Sequence, residues 1–175
     1  MFSGKTEELI RRLRRALIAN MKVAIFKPLV DERYSKDEVV SHDLRSVPSI
    51  RVNRAIEIIE KSEDADLVAI DEAQFFDKAL IGVVQHLALK GKRIIIAGLD
   101  MDSNGKPFGI MPDLLAISEY VTKLHAICTE CGSLANHSFR LSDSKELILV
   151  GEKDKYKALC RNCFNKNFDY QYNLE

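Results

Sequence analysis

Ser3-Gly4-Lys5-Thr6, set directly before an amphipathic run, constrains this chain more than any other stretch. It matches the second half of the phosphate-binding pattern G-x-x-x-x-G-K-[ST]. In that pattern backbone N–H groups at a helix N-terminus surround a polyphosphate, the lysine reaches its outer phosphates, and the hydroxyl ligates Mg²⁺. The first glycine would stand two residues before Met1, so the chain begins inside the motif and a strand is expected to precede Met1. The plainer alternative is a capped surface helix with a lysine in its first turn. Positive charge there opposes the helix dipole, which a bound anion would relieve.

A chain of 175 residues suffices for one main domain and a small appendage. Lys plus Arg and Asp plus Glu stand at 26 each, a balance that argues against binding nucleic acid as a polyanion. Arg11, Arg12, Arg14 and Arg15 are the exception, and they read most simply as the solvated side or interface edge of a helix. No apolar run approaches the roughly 18 residues of a membrane span, and no secretory leader is visible, so the expected location is cytoplasmic, with no membrane partner. Four cysteines in two C-x-x-C pairs then point to metal before disulfides.

Leu9, Leu13, Ala16 and Leu17 fall at helical spacing between Thr6 and about Asn20. Val23-Ala24-Ile25-Phe26 predicts a buried strand over 22–27, ended by Pro28. From Leu29 to Ser49 the chain is polar and reads as a long loop; Asn53 to Lys61 predicts a helix with Asn53 as its N-cap. A strand at Leu67–Ile70, a helix over 79–90 closed by Gly91, and a strand over 93–97 follow. This alternation predicts an α/β fold, a parallel sheet covered by helices on both faces. Leu99 to Gly109 is a glycine- and proline-punctuated loop of the kind that closes over ligands. A helix near 113–120 and a strand near 121–127 would complete a nucleotide-binding domain at 1–127. An appendage at 128–175 would carry short strands near 138–141 and 146–150.

Two constellations carry chemistry. An apolar strand running into Asp71-Glu72 has the Walker B form, with Asp71 placed to hold Mg²⁺. Strand alternation would turn Glu72 to the other side, where a carboxylate could accept a proton from a hydroxyl or water. Two acidic residues merely leaving a strand for a loop are the alternative. Cys128, Cys131, Cys160 and Cys163 have the pairing of a tetrahedral zinc site, and Gly132 permits the tight turn that aims amides at the sulfurs. The 28 residues between Cys131 and Cys160 exceed the usual spacing of about 15–20, so an inserted segment would be pinned at both ends. Redox-active or unliganded cysteines are the alternatives.

Met1 to Leu9, Asp31-Glu32-Arg33-Tyr34, Asp71-Glu72-Ala73-Gln74-Phe75-Phe76, Gly98-Leu99-Asp100, Lys106-Pro107-Phe108-Gly109, both cysteine pairs and Asp154-Lys155-Tyr156 together resemble the type II thymidine kinases. The resemblance runs in order from Met1 to about Cys163. It implies a RecA-like P-loop domain, a zinc domain bearing a lasso loop, and transfer of the ATP γ-phosphoryl to the thymidine 5′-hydroxyl. Glu72 matches the general base, and Thr6 and Asp71 the ligands of the Mg²⁺ that accompanies ATP. Met1, Phe2, Ser3, Gly4, Lys5, Asp31, Arg33 and Gln74 match further nucleotide contacts. Main-chain groups of Leu147, Ile148, Leu149, Val150 and Gly151 would read the thymine edge, Phe75 would stack on its face, and Leu99, Ser138 and Tyr156 would line the pocket. The zinc would be structural. A homotetramer, and dTTP as feedback inhibitor, are also implied.

Two departures stand out: a polypeptide without the first motif glycine is expected to bind ATP poorly, and Ser103 stands where some relatives carry an aromatic residue. Two other classes share parts of this pattern. A P-loop ATPase with a zinc-ribbon appendage would use Glu72 on water and have no need of a lasso. A zinc-ribbon nucleic-acid module would need a basic aromatic surface, whereas 128–163 mixes Lys145, Lys153, Lys155, Lys157 and Arg161 with Glu130, Asp143, Glu146, Glu152 and Asp154.

Overall fold

A computed structural model describes residues 2–29, 49–141 and 155–167, which fall into two compact units. One comprises Lys5–Asp100 with Phe108–Val121; the other gathers Met1–Gly4, Met101–Pro107 and Thr122–Glu175.

The first unit opens with α1, Lys5–Ile18, whose Leu9, Ile10, Leu13 and Ala16 are buried on one stripe. Glu8 accepts hydrogen bonds from Arg11 and Arg12 on the exposed side, so half of the arginine run serves the helix's own surface. Asn20, at φ 57°, reverses the chain after the helix, and the Met21 N–H closes onto the Ala16 carbonyl at 3.0 Å. Four parallel strands follow: β1 (Val23–Pro28), β2 (Ser49–Val52), β3 (Leu67–Ile70) and β4 (Arg93–Ile96), in the order β2-β1-β3-β4. Alternation along them divides the core. Phe26, Val68 and Ile70 pack in one cluster with Ile58, Leu80, Leu87 and Leu114, from α2 (Glu57–Lys61), α3 (Ala79–Leu89) and α4 (Met111–Ile117). Ile25, Leu67, Ala69 and Ile95 pack on the opposite face with Leu9, Leu13 and Ala16 of α1. The expected parallel sheet with helices on both faces is thus present.

Local readings are corrected in several places. Ser49–Val52, of which only Ser49 belongs to the expected loop and the rest falls in no expected element, is a strand, and Asn53 is not the N-cap: α2 begins at Glu57 with Ile56 at the cap position. The Glu57 carboxylate instead accepts the Asn53 and Arg54 N–H groups at 3.2 and 2.9 Å, folding 53–56 into a turn that displaces the helix start. Pro112 in the first turn of α4 starts that helix at Met111. Of the strand expected over 121–127, only Ala126–Ile127 forms, and it pairs antiparallel with Leu134–Ala135 rather than joining the parallel sheet.

In the second unit, β5 (Ala126–Ile127) pairs with β6 (Leu134–Ala135), β7 (His137–Arg140) pairs antiparallel with β8 (Tyr156–Leu159), and α5 spans Arg161–Asn167. Ala126, Cys128, Ala135, Ala158, Leu159, Cys163 and Phe164 form its core, with His137 stacked on Phe164 at 4.4 Å. Within the same unit, Asp102 accepts the Asn104 and Lys106 N–H groups and tightens a turn whose Gly105 lies against the Phe164 ring. The strand expected near 146–150 lies outside the described residues. No helix among the described residues is long and apolar enough to cross a membrane.

Candidate active site and cysteine cluster

The chain leaves β1 toward β2 on one side and takes up β3 on the other, so the sheet reverses its direction of growth between β1 and β3. Loops diverge at such a point, and ligands of open α/β sheets bind at the carboxyl ends of the strands beside it. Register places Phe26 beside Ile70, and the next residues on each strand, Lys27 and Asp71, meet there. Lys27 Nζ is 3.6 Å from Asp71 Oδ2, and Asp71 Oδ1 accepts the Glu72 N–H at 3.0 Å. Asp71 is 2% exposed. Burial pushes its carboxyl above the usual range, with the Glu72 charge adding to this, while Lys27 and Lys5 pull it back. The α1 lysine is therefore within electrostatic reach of the β3 aspartate.

Glu72 does not continue the strand. Its φ of 52° and ψ of 42° are left-handed, a conformation that costs a non-glycine residue about 1–3 kcal/mol and gathers at functional sites. The opposition of Asp71 and Glu72 expected from strand alternation is thus replaced by a sharp turn into the single 3₁₀ turn Ala73–Phe75. Gln74 Nε2 donates to Glu72 Oε2 at 2.5 Å, and the Leu99 N–H donates to Gln74 Oε1 at 3.0 Å. Phe75 is half-buried and meets Phe108 edge-to-face, centroids 5.6 Å apart. Before α1, Phe2 (φ 62°) and Gly4 (φ 75°) are both left-handed, while Thr6 is exposed in the helix's first turn.

The parallel-sheet unit thus joins Asp71, Glu72, Gln74 and Leu99 by hydrogen bonds, with Lys5 acting on Asp71. Ser138 and Tyr156 are buried in the other unit, where the Arg140 guanidinium donates to the Tyr156 hydroxyl at 3.1 Å. Met1, Asp31, Arg33 and Leu147, Ile148, Leu149, Val150 and Gly151 lie outside the described residues. Lys27 was missed: a lysine between Phe26 and Pro28 looks like a strand's polar end, and only the strand order makes it the partner of Asp71.

All four cysteine sulfurs lie within 4.8 Å of one another, and the thiols are free. Cys131 Sγ and Cys160 Sγ are 3.6 Å apart, far beyond a disulfide bond of about 2.05 Å and near the ~3.8 Å edge of a tetrahedron with Zn–S of about 2.3 Å. Gly132 (φ 75°) supplies the expected turn, its N–H bonding the Cys128 carbonyl at 2.9 Å. Burial opposes ionisation of Cys128, yet backbone N–H groups of Cys160, Glu130 and Cys131 bring its thiol down to about 6. The Cys131 sulfur and burial push Cys163 up. Four sulfurs this close, with amides turned to them, are a donor set compatible with structural zinc.

The sheet, its acidic strand end and the adjoining lysines define a nucleotide-binding α/β protein that also carries a cluster of four cysteines able to hold a metal ion. Within that class the chain belongs to the thymidine kinase family, whose model matches residues 1–164. It is 55% identical over 164 residues to the thymidine kinase of Rhodothermus sp. (strain ITI 518), covering 94% of this chain and 77% of that one. It is similarly 53% identical over 166 residues to the thymidine kinase of Porphyromonas gingivalis (95% and 81% covered) and 52% identical over 164 residues to that of Bacteroides thetaiotaomicron (94% and 82%).

Proposed function

We propose that this chain transfers the γ-phosphoryl group of ATP to the 5′-hydroxyl of thymidine, giving dTMP and ADP. The observation that carries the proposal is a left-handed Glu72 directly after a buried Asp71 at the reversal point of the sheet, in a chain of this family. Glu72 takes the proton of the 5′-hydroxyl as its oxygen bonds to the γ-phosphorus, and the bond from that phosphorus to the β,γ-bridging oxygen breaks with the electron pair leaving on ADP. Lys5 and the main chain of Met1, Phe2, Ser3 and Gly4 would bind the phosphates, with Asp31 and Arg33 nearby. Thr6 and Asp71 would hold the Mg²⁺ that accompanies ATP and neutralises its charge. Phosphoryl transfer asks little more of a protein than placement and charge compensation.

The half-buried Phe75 ring and Leu99 are the proposed wall for thymine. Ser138, Tyr156 and Leu147–Gly151 join them on the resemblance alone. The cysteines would bind zinc as a structural ion. A cytoplasmic homotetramer inhibited by dTTP completes the reading.

The test is a radiolabelled phosphate-transfer assay across the four deoxynucleosides, on protein carrying the whole phosphate-binding motif. ADP formation that depends on thymidine is expected. Release of ADP at the same rate without any nucleoside would make the protein an ATPase instead.

A further inference from the structure

Gln74 is 4% exposed, yet both ends of its side-chain amide are engaged. Chemistry fixes which end is which. The Leu99 N–H can only donate and must meet the oxygen; an ionised Glu72 carboxylate can only accept and must meet the nitrogen. Neighbouring residues are cut back to main chain around this turn. A Cβ on Gly98 would lie 3.0 Å from Gln74 Oε1 and 2.8 Å from Met111 Sδ, and one on Gly109, itself at φ 54°, would lie 2.8 Å from the Gln74 carbonyl oxygen. Gln74 therefore sits in a slot that admits little movement, whereas Glu72 hangs from a strained main chain by three rotatable bonds and would otherwise sample many positions.

We infer that Gln74 is the positioning residue of the site: its amide nitrogen holds the Glu72 carboxylate in one place, and its amide oxygen takes its own position from the main chain of Leu99 beyond β4. This assigns Gln74 to the base rather than to the nucleotide, and it rests on the reading of Glu72 as that base. The arrangement ties the proton acceptor to the backbone of a residue proposed to face thymine, so the two are placed by one chain of hydrogen bonds.

Four variants decide it: Q74M, Q74E, E72Q and the double variant E72Q/Q74M, each checked for thermal unfolding. Q74M keeps the volume and removes both hydrogen bonds, and a misplaced base is expected to lower kcat on the order of 10²-fold, with KM for ATP and for thymidine unchanged within about twofold. Q74E keeps an oxygen for the Leu99 N–H and lacks the donor to Glu72; it is expected to lose kcat alike, and it carries the comparison alone should Q74M not fold. With the base already removed there is nothing left to position, so adding Q74M to E72Q is expected to change kcat by less than about twofold. A raised KM for ATP with kcat intact would make Gln74 a nucleotide ligand and overturn the inference. So would a Q74M loss repeated in full on the E72Q background. A wild-type rate for E72Q would overturn the base assignment itself, whatever the Gln74 variants do.

Discussion

Lys27 and Asp71 are brought together by strand register, and their side chains are only 13% and 4% exposed. A carboxylate so far from water needs a cation beside it, and Lys27 supplies this when no metal is bound. Lys27→Met is expected to destabilise the metal-free protein by about 1–3 kcal/mol, below the ~3–5 of a wholly buried pair because the ammonium keeps some water. Denaturant unfolding with chelator present measures it, with Lys27→Arg as the variant that retains most of the stability. An unchanged midpoint for Lys27→Met would mean that the ion pair contributes nothing. The same residues mark how far the site was legible. Asp71 and Glu72 announce themselves by following an apolar run, a purely local pattern. Lys27 does not, because its partner lies 44 residues further on and the pairing depends on which strands are neighbours. The left-handed turn at Glu72 was equally hidden, since glutamate has no preference for that conformation and tertiary packing imposes it.

Elements with a clear apolar pattern were the legible ones. α1 and α3 bury residues at helical spacing, and β1, β3 and β4 carry the unbroken apolar runs Val23-Ala24-Ile25-Phe26, Leu67–Ile70 and Ile94-Ile95-Ile96 of strands covered on both faces. The short β2 strand has only Ile50 and Val52 between polar neighbours, so its strand character comes from pairing with β1. The five-residue α2 likewise cannot stand by itself, since a single turn fixes more dihedrals than its hydrogen bonds repay. What secures its end is a residue from elsewhere: Lys92 Nζ donates to the carbonyls of Ser62, Glu63 and Ala65 at 2.9, 2.8 and 2.6 Å. These are carbonyls at or just beyond the helix C-terminus, where a cation is favoured by the dipole. Lys92→Met should therefore cost about 2 kcal/mol and raise hydrogen exchange across 57–65 before the sheet is affected. Exchange in that segment equal to wild type would show that the helix end holds without its lysine.

At the scale of the whole chain the two units differ in how they can be stable. The parallel-sheet unit buries large residues on both faces of β3, with Leu67, Val68 and Ile70 at 0% exposure. Among the described residues the cysteine unit has two two-stranded sheets, and its core cluster is Leu159 and Phe164 with alanines and cysteines, Tyr156 and His137 being buried as well. Isolated pairs of short strands are marginal in water, and so small a core supplies too little burial to overcome chain entropy. A structural zinc contributes about 10–16 kcal/mol of apparent binding energy in comparable small modules, which is enough to change that outcome. Cys160→Ser, or a strong chelator on the natural sequence, is accordingly expected to abolish the bound metal and with it amide protection in β7, β8 and α5. Protection in β1, β3 and β4 should remain. On the proposed role of Ser138 and Tyr156, KM for thymidine should rise more than KM for ATP. Protection that survives in β7 and β8 after the metal has been shown by elemental analysis to be gone would mean that the thiols and the glutamate network of Glu130, Lys157 and Asn167 suffice by packing alone.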